Sequence, residues 1–417
     1  MKHSYKRLTW ACYTTSASMA VVCNLPPILF LTFRSLYGLS FTLLGLLIFI
    51  NYTTQLIVDL IFSFFSHKFN IEKTVKFTPV LTVCGLIVYA GWHYLFPKDP
   101  YFGLVLGTII FSAASGLCEV LISPVIAAIP SDDPDREMSK LHSVYAWSLV
   151  PVVVLGTLFL LAFGGENWQY LILLSSLLPL TSALLFYGIP IPEMKTPERV
   201  SGVLRLFRNK TLWLCVIAIF LGGASECNMS QWVSGYAEQS LGVPKIVGDV
   251  FGVALFGFML GIGRTLYAKF GKNIFRTLIF GFIGATFCYL VACFSDLPYL
   301  GLIACAATGF CTSMLWPGTL VVASDKFPKS GVFIYAMMAA GGDMGASVVP
   351  QLVGIITDKA ITNPFVISLA STLAYSPEQL GMRVGMIVSA VFPLVGIFVA
   401  CVLAKQGRDS VAEGDLD

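Results

Sequence analysis

Pro190-Ile-Pro-Glu-Met-Lys-Thr-Pro-Glu-Arg-Val-Ser-Gly-Val-Leu-Arg-Leu-Phe-Arg-Asn-Lys-Thr211 divides the chain near its middle. The stretch is polar, carries three prolines and holds seven charged side chains. On either side of it lie long apolar runs. Over the whole chain, 56% of residues are hydrophobic and only 12% are charged, with a mean hydropathy of +0.80. Soluble domains carry about 25% charged residues, so this chain has too little charge to solvate an ordinary surface. Disorder and nucleic-acid binding are excluded on the same ground, and the net charge of +3 asks for no nucleic-acid partner.

The apolar runs are continuous and long, and in lipid only helices and closed barrels satisfy their own backbone. A helix needs about 20 apolar residues to cross a bilayer. Twelve spans fit the 417 residues, over about 9–32, 41–66, 77–96, 101–129, 141–164, 168–189, 212–238, 246–270, 275–294, 298–324, 331–357 and 384–404. Turn residues punctuate them, among them Pro97-Lys-Asp-Pro100, Gly164-Gly-Glu-Asn167 and Asp296-Leu-Pro298. The expected fold is an all-α integral membrane protein. Residues 1–189 form a six-helix half, 190–211 a central loop, 212–404 a second half and 405–417 a tail.

Basic residues orient the spans. With the N-terminus inside, Arg34, Lys98, Lys245, Lys359 and Arg383 fall on the outer side, and the other 21 of the 26 Lys and Arg fall inside. That asymmetry predicts both termini in the cytoplasm of a plasma membrane of the bacterial inner-membrane type. The start, Met1-Lys-His-Ser-Tyr-Lys-Arg7, lacks a small-residue cleavage site and reads as a tail entering a retained helix. All eleven cysteines lie in apolar runs, which argues against a disulfide framework or a zinc site.

The two halves carry traces of duplication. Ala114-Ser-Gly-Leu-Cys118 with Pro124 matches Ala307-Thr-Gly-Phe-Cys311 with Pro317, and Ser143-Val-Tyr-Ala146 matches Phe333-Ile-Tyr-Ala336. Lys68-Phe-Asn70 matches Lys269-Phe-Gly271. Trp10, Cys12 and Cys23-Asn24 match Trp213, Cys215 and Cys227-Asn228. Ordered matches at a nearly constant offset point to internal repeats.

A charge at bilayer depth costs a few kcal/mol, so intramembrane acids are functional candidates. Glu119 (span 4), Glu226 (span 7) and Asp343 (span 11) lie near mid-span, and Asp59 lies lower in span 2. Glu119 and Glu226 are the candidates for carrying a coupling proton. The competing reading is a permanently protonated acid bonded to a neighbouring helix. Arg264, a base well inside span 8, is expected to pair with Asp343 as a gate or a structural charge pair; otherwise it snorkels to the inner surface. Asp59 is expected to anchor an inter-helix contact.

Polar and aromatic groups suited to a hydroxylated substrate are Asn24, Asn51, Gln55, Tyr145, Trp147, Asn228, Gln231, Trp232 and Trp316, with Tyr236 and Gln351 in reserve. Gln231-Trp232 lies about 9 Å outward of Glu226 along the helix. Trp and Tyr also form interfacial belts, and Trp92, Tyr101 and Trp168 sit at span ends. His142, beside the acidic loop 132–137, reads as a solvated helix-end residue. The sequons at Asn51, Asn228 and Asn209 are discounted by their places in spans or on the inner side. Small residues at Gly222-Gly-Ala224 and Ala339-Ala-Gly-Gly342 allow close helix approach. No P-loop, HExxH or Ser/His/Asp arrangement appears, so neither an enzyme nor a cofactor or metal is expected.

Twelve spans in two related halves, with basic loops after spans 2 and 8, resemble the major facilitator superfamily. Its loop signature is degraded here: Ser63, His67, Lys68 and Asn70 fill the Gly, Asp, Arg and Gly places. Within the superfamily the chain resembles the fucose–proton symporter-like group of sugar permeases. Gly116-Leu-Cys-Glu119 with Ser123-Pro124, Gly222-Gly-Ala-Ser-Glu226 with Trp232 and Tyr236, Gly263-Arg264, and Gly341-Gly-Asp343 with Pro350 carry that likeness. The resemblance matches Glu119 to the group's proton-handling glutamate, while Asn24 stands where the group has an acid in span 1. It implies a monomeric secondary transporter working by alternating access, with proton-coupled symport of a sugar or similar polar metabolite. Efflux of amphipathic or cationic compounds and a non-transporting receptor on the same fold are the alternatives.

Overall fold

The computed structural model describes residues 2–65, 68–130, 134–192, 207–327 and 332–414. Every element named there is helical. The chain separates into two compact units, residues 1–197 and 198–417. Eleven helices among the described residues are long and apolar enough to cross a membrane, and a bent pair supplies a twelfth.

The first unit runs α1 (Lys2–Ile28), α2 (Phe30–Tyr37), α3 (Phe41–Phe65), α4 (Ile71–Leu95), α5 (Pro100–Ala128), α6 (Pro134–Phe163), α7 (Trp168–Ser175) and α8 (Leu177–Phe186). The first span is the bent pair, α1 turning 49° into α2. Pro26 and Pro27 in the last turn of α1 account for the bend, since each lacks an N–H and crowds the preceding turn. α4 begins at Ile71, earlier than the 77 expected from hydropathy. Asn70 caps it through Lys73 N, and a Glu72–Lys76 pair keeps its polar first turns helical.

The second unit runs α9 (Lys210–Gln239), α10 (Lys245–Phe270), α11 (Ile274–Phe294), α12 (Pro298–Thr312), α13 (Leu315–Lys326), α14 (Val332–Ile361), α15 (Pro364–Thr372), α16 (Pro377–Ser389) and α17 (Val391–Gly414). Helix α10 contains a π-helical turn over Asp249–Ala254. The tenth span is interrupted between α12 and α13, at Ser313. Two features differ from expectation. The short α15 follows the eleventh span, and the last span opens at Pro377 rather than 384. Ser376 and Gln379 form a full capping box there, a start signal that the polar Glu378 and Arg383 conceal in a hydropathy trace.

The units share one internal plan. In the first, span 1 packs on spans 5 and 6, and span 4 packs on spans 2 and 3. In the second, span 7 packs on spans 11 and 12, and span 10 packs on spans 8 and 9. Each unit has its own buried apolar cluster, one around Leu8, Leu121 and Val125 and one around Ile219, Phe282 and Leu315. The helical repeat seen in the sequence is therefore a repeat of packing as well.

Candidate functional site

In the second unit glycine sets the approach of α9 to α14. A Cβ at Gly223 would lie 2.6 Å from the Gly342 carbonyl oxygen, and one at Gly345 would collide with the Phe220 carbonyl oxygen. The Trp316 ring fills the remaining space, 2.9 Å from a Cβ built at Gly223 and against Gly342. Trp316 is half-buried and Asp343, next to Gly342, is buried.

One turn along α9, Glu226 meets Arg264 of α10. Arg264 Nη2 donates to Glu226 Oε1 at 3.3 Å, and Arg264 Nε donates to the Ser313 carbonyl at 3.1 Å. Ser313 stands at the interruption of the tenth span, where a helix end leaves carbonyls available. Gly263 lets α10 come close enough, because a Cβ there would run into the Ser313 hydroxyl. The Glu226 side chain is 13% exposed and that of Arg264 34%. Glu226 Oε2 is buried and accepts no hydrogen bond from the described residues. Arg264, expected to pair with Asp343, makes its salt bridge among the described residues to Glu226. Both acids were legible by depth, but the partner depended on which way α10 faces.

Asn228, Gln231 and Trp232 are buried within the second unit. Asn228 Nδ2 donates to Tyr289 Oη at 3.3 Å, and Trp232 Nε1 donates to the Pro350 carbonyl at 3.0 Å. Trp232 is 1% exposed, so in this structure its ring packs between helices rather than offering a stacking face. Tyr236 likewise turns inward, its hydroxyl donating to the Ala292 carbonyl at 2.8 Å.

In the first unit Asn51, Gln55 and Ser112 form one buried network. Gln55 Nε2 and Ser112 Oγ both donate to Asn51 Oδ1, at 2.9 and 2.6 Å. Asn24 Nδ2 donates to the Ala20 carbonyl at 2.9 Å and reaches Tyr145 Oη at 3.5 Å. Buried Asp59 lies against α5, its Oδ1 3.1 Å from a Cβ built at Gly116. Unlike Asp59, Glu226 and Asp343, Glu119 is exposed, with no hydrogen bond to the described residues. Trp147 is 52% exposed and Tyr145 half-buried. The side chain of His142 lies outside the described residues, as do residues 193–206 of the central loop and His67.

Two charged residues escaped the sequence reading. Asp249 is fully buried at the π turn, accepting a short hydrogen bond from Ser234 Oγ and pairing with Lys245 at 3.1 Å. Its i,i+4 spacing from Lys245 was the available signal. Arg383, expected among the outer loop cations, is 8% exposed inside the last span. Its Nη1 donates to the Cys293 carbonyl at 3.1 Å and its guanidinium lies 4.6 Å from the Tyr375 ring centroid. The carbonyl end of α11 supplies the negative potential that a buried cation needs.

The family model described as Major Facilitator Superfamily matches residues 10–350. No curated protein matches in sequence. Among solved structures, a bacterial homologue of the human lysosomal transporter Spinster, in an inward-facing and occupied conformation, is similar with a TM-score of 0.74. It is 12% identical over 97% of this chain and 98% of its own. The D-xylose–proton symporter gives 0.67 at 15% identity over 93% and 95%. The fucose:proton symporter FucP of E. coli, in its N162A form, gives 0.60 at 15% identity over 95% and 98%.

Proposed function

The chain belongs to the major facilitator superfamily, and from that premise we propose that it is a proton-coupled symporter for a sugar or similar small polar metabolite. It is a multi-pass membrane transporter; in this reading it sits in a bacterial-type plasma membrane as a monomer, with both termini cytoplasmic. The Arg264–Glu226 pair carries the proposal. It is a single long contact at 3.3 Å, with Oε2 of the glutamate unengaged. Such a pair offsets two costly charges at bilayer depth. When Glu226 takes up a proton, the attraction falls away and, among the described residues, the Ser313 carbonyl still holds Arg264. The charge state of one carboxyl then sets how α9, α10 and the interrupted tenth span are tied together.

The polar groups divide accordingly. In the first unit half-buried Tyr145 is a candidate for substrate hydroxyls, while Asn51 and Gln55 hold their helices in register; in the second, half-buried Trp316 offers a ring face and Asn228 bonds Tyr289. Exposed Glu119 is a second proton carrier. Its exposure, with no basic partner among the described residues, also favours one other reading, efflux of an amphipathic cation that this carboxylate would attract.

Proteoliposomes decide between them. Sugars and polyols are screened against lipophilic cations for counterflow and for uptake driven by a pH gradient. Accumulation of a sugar with the proton gradient supports symport; movement of cations alone replaces it with efflux, and no flux for either removes transport of both classes.

A further inference from the structure

The connection between spans 11 and 12 folds into a helix of its own. Two residues separate α15 from α14 and four separate it from α16. A helix this short is marginal in water, yet both of its ends are closed. Asn363 Oδ1 accepts from Phe365 N and Val366 N at 2.9 and 3.4 Å, with Pro364 in the first turn. At the other end Tyr375 N donates to the Ala370 carbonyl and Ala374 N to the Ser371 carbonyl, at 2.9 and 3.4 Å, a Schellman closure. Its left-handed position is Ala374, with φ +57°, where glycine is the usual residue. A strained corner of that kind persists where its surroundings fix it.

The faces of α15 divide three ways. Phe365, Leu369 and Leu373, at i, i+4 and i+8, form an apolar stripe that is 73%, 37% and 48% exposed. On one flank Val366 is half-buried and Ala370 buried, the side that packs on α16. On the other flank Ser368, Ser371 and Thr372 are exposed, and exposed Ile367 lies opposite the stripe. No charged residue occurs from Ala360 to Pro377. Tyr375 Oη donates to Asp296 Oδ1 at 3.5 Å, which sets the corner beside the start of α12, where Leu297 and Tyr299 are exposed as well.

We propose that α15 is an interfacial helix whose Phe365–Leu369–Leu373 stripe inserts into the bilayer at the boundary of headgroups and acyl chains, with Ser368, Ser371 and Thr372 toward water. Level selects the lipid. Candidate spans Ile334–Ile361 and Pro377–Gln406 end and begin on either side of α15, so it lies within a few residues of the bilayer surface. Leu297 and Tyr299, at the start of span 10, continue the exposed apolar belt there. Composition selects the mode. With no basic residue on the helix to attract anionic headgroups, its binding comes from buried apolar area. The helix thereby ties the ends of spans 11 and 12 to one leaflet.

The test is photocrosslinking of the full chain in vesicles of phosphatidylcholine with and without phosphatidylglycerol. A benzophenone amino acid is placed in turn at Phe365, Leu369, Leu373 and Ser371. Phospholipid adducts are expected at the three apolar positions and are lost at Ser371, and leaving out phosphatidylglycerol does not lower them. Amide exchange gives a second readout. Phe365→Ser, Leu369→Ser and Leu373→Ser together are expected to speed exchange over 365–373 at least about tenfold, the loss of one buried Leu or Phe being worth that much, while α14 and α16 keep their protection. Adducts of the stripe to other residues of this chain or to a second copy overturn the proposal. So do lipid adducts at Ser371 equal to those of the stripe, adducts that require phosphatidylglycerol, or unchanged exchange in the triple variant.

Discussion

Glu226 and Arg264 are joined through one guanidinium nitrogen, while the other carboxylate oxygen is buried without a hydrogen bond. Ideal Arg–carboxylate pairs are bidentate and shorter, so this pair is poised for exchange. Glu226→Gln is expected to keep counterflow and lose accumulation against a proton gradient. Arg264→Ala leaves a mostly buried carboxyl without its cation and is expected to cost about 1–3 kcal/mol of stability as well as transport. Arg264→Lys restores a charge but not the simultaneous reach to Ser313, so it recovers stability in part and accumulation little. Uptake and thermal unfolding of the three variants check this; full accumulation by Glu226→Gln would remove Glu226 from coupling.

Glu119 is exposed, so its neutralisation should leave the packing of the first unit intact. Glu119→Gln keeps the side chain's size and breaks no hydrogen bond to the described residues, so it is expected to shift unfolding by no more than about 1 kcal/mol. In the symport reading, gradient-driven accumulation falls at least about tenfold, one proton-transfer step being worth more than 1.4 kcal/mol. Parallel uptake and melting curves separate the two effects, and a stability loss without a transport loss would make Glu119 structural.

Trp232 buries its ring and donates its indole N–H to the Pro350 carbonyl. Trp232→Phe removes that donor and part of the ring, for a loss of about 1–3 kcal/mol. Because the ring faces helices, substrate affinity is expected to stay within about twofold. Binding by calorimetry on the stable fraction measures it. A tenfold affinity loss at unchanged stability would place the indole on the substrate instead.

Glycine at the contact of α9 and α14 is set by backbone proximity. Gly345→Ala drives a methyl group into the Phe220 carbonyl and should cost about 1–3 kcal/mol by overpacking. Gly342→Ala meets the Trp316 ring, a side chain that can shift, so its cost is smaller and its effect on transport larger. Gly261, with open space around its Cβ position, is the control: Gly261→Ala should be neutral or slightly stabilising. Melting temperatures rank the three, and equal effects would contradict the packing argument.

Much of the fold was legible in the residues. Twelve apolar runs, the polar divide at 190–211 and the paired Ala-Ser-Gly-Leu-Cys and Ala-Thr-Gly-Phe-Cys segments state a duplicated bundle, and the packing of each unit repeats accordingly. The candidate acids were legible too, because a carboxyl inside an apolar run is conspicuous whatever surrounds it. Less visible was Asp249, masked by its closeness to a span end, and Arg383, which counted as a loop cation until the Ser376–Gln379 box started the last helix early.

By itself the sequence determined depth: at about 1.5 Å per residue, the position along a span says how far Glu226 or Arg264 lies from either surface. Rotation about the helix axis was decided by the tertiary structure alone. Lipid tails and protein interior are equally apolar, so hydropathy does not distinguish a face turned to one from a face turned to the other. That rotation, set by glycine contacts such as Gly263 on Ser313 and Gly345 on Phe220, gave Arg264 to Glu226 and turned Trp232 inward.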